Sequence, residues 1–203
     1  MKAVHSVLLA GGISNRMGFP KALLPFGSSF FLRRIYDALV AAETVPVHIV
    51  INAGLQVSLK RQMKQFPQGN FVLNNEPARG QIHSLQLGLQ AARQCGADAA
   101  IVALVDQPAI AVSTMTKLRE AFFVDPEKLC VACYKGRPGH PILIPRSFFG
   151  AFIGVSEGQT ARDIIAAHAS ETKHIETDDA QVVADIDSPE DFARLREMED
   201  ELD

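Results

Sequence analysis

Cysteine is scarce. The chain has three, an odd number that leaves no disulfide framework. Two of them form Cys130-Val131-Ala132-Cys133. Redox and zinc pairs of this spacing normally sit at a turn or helix start, and a structural zinc site needs four ligands. This pair lies inside Leu129–Tyr134, which reads as a strand, and no second pair exists. Both therefore read as small apolar core residues. Long apolar runs are also missing: Ala99–Val105 is typical, far short of the roughly 20 residues needed to cross a bilayer. Met1–Ala10 has one lysine and a short apolar run broken by Gly11-Gly12, too brief for a secretory signal. A cytoplasmic location is expected. Positive charge is not in excess either. Twenty Lys and Arg against 23 Asp and Glu give a net charge of −3, which excludes a global field drawing the molecule onto nucleic acid or an anionic membrane. Any polyanion must be bound locally.

The 203 residues are 47% apolar, enough for one generous core and short for two ordinary domains. One domain spanning 1–203 is expected. Val4–Ala10, Val47–Ile51, Phe71–Leu73, Ala99–Val105 and Leu129–Tyr134 are strand-like runs. Between the earlier ones lie helical spacings: Phe31, Ile35, Ala38, Leu39 and Ala42, then Ile82, Leu85, Leu89 and Ala92. Such alternation predicts a Rossmann-like, three-layer α/β/α domain with a mainly parallel sheet. Prolines surround Ile142-Leu143-Ile144, which reads as an insertion or sheet extension. Thr160 with Asp163 forms a capping-box pattern opening a helix, and Ser188-Pro189-Glu190-Asp191 opens the last one.

The most informative stretch is Leu8-Leu9-Ala10-Gly11-Gly12-Ile13-Ser14-Asn15-Arg16-Met17-Gly18-Phe19-Pro20-Lys21. A strand running into two glycines lets backbone approach phosphates closely, and Arg16 and Lys21 add charge. The dinucleotide fingerprint does not fit, because the glycines are adjacent and the next strand ends at Ile51-Asn52 rather than at an acid. The Gly-Lys-Ser/Thr of a P-loop is absent. Asp106 ends the most apolar strand candidate. In open parallel sheets, ligands bind beyond the carboxyl ends of strands, where the glycine loop also lies. An acid facing a triphosphate loop suits Mg²⁺, although Asp106-Gln107-Pro108 alone also reads as a turn.

Leu8–Lys21 with Leu23-Leu24-Pro25-Phe26-Gly27 resembles the glycine-rich motif of Mg²⁺-dependent nucleotidyltransferases, in particular the MobA/MocA-like family that attaches a nucleotide to molybdopterin. Asn74 through Gly80 with Ser84, Asp106-Gln107-Pro108, Gly139-His140-Pro141 and Asp185–Asp191 are similar to its further motifs. The order covers nearly the whole chain and implies the fold of nucleotide-diphospho-sugar transferases. It implies nucleotide binding by Leu9, Ala10, Gly11, Gly12, Ser14, Arg16, Lys21, Asn74, Gly80 and Ser84. Catalysis would rest on Arg16, Lys21 and Asp106, and Mg²⁺ on Asp106 with Asp187 or Asp185, of which Asp187 is favoured. Gly139 and His140 would meet a molybdopterin-like phosphate acceptor. Gly11-Gly12 looks like the guanylyl-transferring members, whereas Asp106-Gln107-Pro108 and Gly139-His140-Pro141 look like the cytidylyl-transferring ones, so CTP is favoured over GTP. The same scaffold serves sugar-phosphate and methylerythritol-phosphate enzymes. Competing classes are a non-catalytic nucleotide-binding partner of a molybdoenzyme apoprotein and a nicotinamide-dependent oxidoreductase.

Overall fold

The computed structural model describes residues 2–12, 19–156 and 158–200, with backbone alone for 198–200. Inside its sheet lies β1 (Val4–Leu9), every residue of which is buried. β1 pairs in parallel with β4 (Val47–Asn52) on one side and β6 (Ala99–Leu104) on the other. Strands covered on both faces can carry continuous apolar sequence instead of alternating residues, and β6 does so, whereas β1 also buries His5 and Ser6. β5 (Gly69–Asn74) extends the parallel array beyond β4. The short hairpin β2 (Pro25–Phe26) and β3 (Ser29–Phe30) stands apart.

Ile142–Ile144 is not peripheral. It is the middle of β8 (Arg137–Pro145), which lies between β6 and β7 (Leu129–Tyr134) and runs antiparallel to both. β9 (Thr172–Thr177) then pairs in parallel with β7 at the edge, giving the seven-stranded order β5-β4-β1-β6-β8-β7-β9. Six strands share one direction and β8 alone opposes them. Pro138, Pro141 and Pro145 disguise β8, since proline argues against an interior strand. The ladder tolerates them at its ends and where the register with β7 shifts between Val131 and Cys133.

Period-two alternation sends neighbouring strand residues into two cores. Leu8, Ile49, Ile51 and Ile101 meet α1 (Phe31–Ala41) and α4 (Val112–Val124) through Ile35, Leu39 and Leu118. Val7, Leu9, Val50 and Val102 meet α3 (Gln81–Gln94) and α5 (Phe149–Ile153) through Leu85, Leu89 and Phe152. The three layers are those the alternation of segments predicts. α2 (Ala53–Leu59) follows β4 directly. Thr160 and Asp163 form the expected capping box on α6 (Ala161–Ala167). α7 (Pro189–Asp200) is capped by Ser188, whose hydroxyl accepts from Asp191 N–H at 3.1 Å. Cys130 and Cys133 are buried, and burial pushes the Cys130 thiol up to about 11, so neither is a ready thiolate. Among the described residues no helix is long and apolar enough to cross a membrane.

One polar chain runs across the amino ends of the parallel strands, from exposed Asn70 on the edge strand to buried His48 and His5. Asn70 Nδ2 lies 3.0 Å from His48 Nδ1, and His48 Nε2 lies 3.2 Å from His5 Nδ1. Asn70 donates, His48 relays through Nε2–H and His5 accepts, an order that needs both rings neutral. Burial lowers the pKa of both histidines, His48 to about 4, with Asp98 opposing the shift at His5. The unfolded chain therefore binds more protons than the folded one between about pH 6.5 and 4. Stability is full above that window and lost on descending through it. Melting temperature is expected to fall by on the order of 5 °C across it, and His48→Gln to flatten the slope; a flat wild-type profile would contradict the neutral pair.

Candidate active site

The carboxyl ends of β1, β4 and β6 open into a cleft of about 900 Å³ whose wall includes Leu9, Gly11, Asn52, Ser84, Asp106 and Asp187. Ladder bonds continue past the strands: Ala10 N–H donates to Val50 O at 2.9 Å, and Val105 N–H to Leu9 O at 3.1 Å. The start of the glycine loop is thus held flat against its neighbours. Asn52 secures it further. Its Nδ2 donates to Gly11 O at 3.2 Å while its Oδ1 accepts from Leu55 N–H at 2.8 Å, capping α2. One side chain ties the loop to the next helix. Sequence reasoning noted Asn52 only as a missing acid, although an N-cap residue type directly after a strand was a usable signal.

Leu9, Ala10, Gly11 and Gly12 all line the cleft, as do Lys21, Gly80 and Ser84. Asn74 does not reach it. At 0% exposure it sits beneath, donating through Nδ2 to Ser84 Oγ at 2.9 Å and accepting Glu76 N–H at 2.8 Å. It acts through Ser84, whose hydroxyl lies 3.3 Å from the place a Cβ on Gly11 would take. The glycine there keeps the cleft floor open. Ser14 and Arg16 lie outside the described residues.

The opposite end of the cleft is charged. Lys21 Nζ is hydrogen-bonded to Asp187 and lies 3.7 Å from Asp106 Oδ2. Asp187 does not share a strand with Asp185, because the segment from Ala184 to Ser188 is irregular. Both acids still flank a buried residue, Ile186, whose N–H donates to Asp106 O at 2.9 Å. Asp185 is engaged elsewhere: its Oδ1 accepts from Gln107 Nε2 at 2.8 Å, and the same amide donates to Val182 O at 3.3 Å. Gln107 is 3% exposed and was read only as a motif letter.

Burial raises the pKa of Asp106; the charges of Asp185 and Asp187 add to the shift while Lys21 opposes it. Asp106 Oδ1 is buried with no hydrogen-bond partner among the described residues. No cluster of three or more His, Cys, Asp or Glu suited to a metal occurs among them. An unpartnered oxygen on Asp106, a carboxylate that shares Lys21 with Asp187, nonetheless fits a hard divalent cation that takes its other oxygens from a phosphorylated substrate.

A smaller cavity of about 260 Å³ adjoins the cleft, sharing Leu9, Gly80 and Gln81 with it and lined also by His140, Ile142 and Thr160. Burial lowers the His140 pKa; Asp185 opposes and Arg162 reinforces the shift. The ring is neutral at pH 7. Gly139, expected beside it as a ligand contact, is spent on packing. A Cβ there would fall 1.9 Å from Val182 O, so only glycine lets this chain segment cross β8.

A family model described as a MobA-like NTP transferase domain matches residues 6–173. A nicotine blue oxidoreductase of Paenarthrobacter nicotinovorans is 27% identical over 205 residues, 96% of this chain and 97% of its own. A probable molybdenum cofactor guanylyltransferase of Mycobacterium ulcerans is 30% identical over 202 residues, covering 94% and 92%. The molybdenum cofactor cytidylyltransferase of Escherichia coli is 22% identical over the whole of both chains. Among solved structures, a nucleotidyl transferase from Methanothermobacter matches with a TM-score of 0.85 at 17% identity over all of both chains, a likeness of fold.

Removing the buried Asn74 amide leaves Glu76 N–H and Ser84 Oγ without their partner. Asn74→Ala is expected to lower unfolding free energy by about 1–3 kcal/mol, read as a lower urea midpoint with an unchanged slope.

Proposed function

Because the chain belongs to the MobA-like NTP transferase family, we propose that it is a nucleotidyltransferase of molybdenum cofactor biosynthesis. It would join a nucleoside triphosphate, CTP in the first instance, to the terminal phosphate of a molybdopterin-type acceptor and release pyrophosphate. The observation that carries this reading is the convergence of a backbone-lined glycine loop with Lys21, Asp106 and Asp187 at the ends of one cleft.

An acceptor phosphate oxygen attacks the α-phosphorus, a new P–O bond forms, and the α–β anhydride bond breaks with its electron pair leaving on pyrophosphate. No group on the protein becomes covalently attached. The protein contributes position and charge. The Gly11-Gly12 backbone, held by Asn52, approaches the nucleotide, and Ser84 and Gly80 border its base. Lys21 meets the triphosphate; Arg16 would add to it on the sequence motif alone. Asp106 and Asp187 would hold a divalent cation, Mg²⁺ by its preference for oxygen ligands, and that ion when bound screens charge on the phosphoryl groups. Asp187 is favoured over Asp185 because Gln107 already occupies the latter. The adjoining cavity suits the acceptor, and a neutral His140 there can hydrogen-bond uncharged ring atoms.

The choice of CTP over GTP rests on two motifs against one, and the relatives named above include both activities. The full-length likeness to an oxidoreductase favours a second reading, reduction of a heterocycle with a nicotinamide cofactor, against which the glycine spacing stands. Two experiments decide. Asp106→Ala is expected to reduce Mg²⁺-dependent pyrophosphate release by at least about a hundred-fold with an unchanged melting curve, and retained turnover overturns the assignment. In a thermal-shift series with Mg²⁺ and CTP, GTP, ATP, UTP or NADH, the true ligand at saturation is expected to raise the melting temperature by about 5–10 °C. A shift with NADH alone would replace this reading by the second one.

A further inference from the structure

Lys21 stands at the point where the two candidate metal carboxylates meet. Its ammonium is hydrogen-bonded to Asp187, 3.7 Å from Asp106 Oδ2, and its side chain is 14% exposed. Its backbone is fixed: Lys21–Leu23 is a 3-10 turn in which Leu23 N–H donates to Pro20 O at 2.9 Å and Leu24 N–H to Lys21 O at 3.0 Å. The four-carbon stem beyond that anchor is the movable part. The acids it bridges cannot easily separate, because Ile186 N–H is bonded to Asp106 O at 2.9 Å. Without an intervening cation, two carboxylates held in this way repel one another in a partly buried setting.

We propose that Lys21 is the resident counter-ion of this site. In the ligand-free protein it neutralises Asp106 and Asp187, so a free divalent cation must displace an ammonium already in place. A cation arriving as its triphosphate complex brings the phosphoryl oxygens that give Lys21 a new anionic partner. The ligand-free site therefore excludes a free divalent cation until a triphosphate draws the ammonium away. The inference rests on the nucleotidyltransferase reading and adds how the ligand-free site holds its carboxylates closed to a free cation.

Mn²⁺ binding tests it directly, because the electron paramagnetic resonance signal of free Mn²⁺ reports occupancy without turnover. Wild type, Lys21→Met, Lys21→Gln and Lys21→Arg would be titrated with Mn²⁺, alone and with a non-hydrolysable α,β-methylene analogue of CTP or GTP, each series being referred to the same analogue without protein, because the triphosphate itself sequesters Mn²⁺. Wild type and Lys21→Arg are expected to bind Mn²⁺ weakly alone and at least about ten-fold more tightly with the analogue. Lys21→Met is expected to bind Mn²⁺ alone at least about ten-fold more tightly than wild type, and to lose the gain from the analogue. Lys21→Gln keeps a hydrogen-bond donor for Asp187 without the charge and should behave like Lys21→Met, which covers the case of a misfolded Met variant. Unchanged Mn²⁺ affinity in a folded charge-removing variant, or tight Mn²⁺ binding by wild type alone, overturns the proposal. Tighter Mn²⁺ binding on charge removal, with no analogue bound by any protein, would keep the counter-ion role and overturn the nucleotidyltransferase reading instead.

Discussion

A single backbone hydrogen bond, from Ile186 N–H to the carbonyl of Asp106, makes one site out of two distant parts of the chain. Asp106 belongs to the end of the central strand array, and Asp187 to the segment that returns from the far edge of the sheet before α7. With that bond in place the two carboxylates face one ammonium. The bond does not act alone. Gln107 grips the same returning segment at Val182 and Asp185, and Gly139 lets Val182 lie close against β8. Three contacts on one short segment leave it little freedom, so the charged end of the cleft is assembled when the sheet is.

Why a mildly acidic protein can present itself to a polyanion follows from this arrangement. On the proposed reading, the acids at the cleft end are concentrated where a cation would sit, and the positive charge is local. Surface charge elsewhere is arranged in ordinary pairs such as Arg33 with Asp37 and Arg119 with Glu43, which contribute little to stability and do not line the cleft.

The parts of this molecule that were legible in the sequence are those written locally. A strand running into glycines, apolar positions at helical spacing and the cap residues at Thr160 and Ser188 each declare themselves within a few residues. β8 did not, because its prolines are accommodated by a shifted register with β7 that only pairing reveals. β9 did not either: an edge strand with one polar face, Thr-Lys-His-Ile-Glu-Thr, lacks the apolar run that marked its neighbours. The same division holds in the site. Lys21 and Asp106 were legible from motif and strand end, and the family resemblance extended that to Asp187. The structure places Gly139 in packing and Asn74 beneath the cleft, a distinction resting on contacts with Val182 and Ser84 that spacing does not encode. Asn52 and Gln107 went unseen because an amide's role is set wholly by what faces it.

The polar chain of Asn70, His48 and His5 has a consequence for how the sheet finds its alignment. β1 and β4 bury residues on both faces, so hydrophobic matching discriminates among offsets less sharply there than in a half-exposed sheet. His48 lies directly opposite Asn70 in the observed register. Sliding β1 or β4 by a residue, or β5 past them, would leave a buried imidazole without its partner, at a cost that misaligned pairings must carry. Three hydrogen-bonding side chains far from the cleft thus act as an alignment key, and the glycine loop, Asn52 and Asn74 arrive at the same rim because the strands that carry them begin in step.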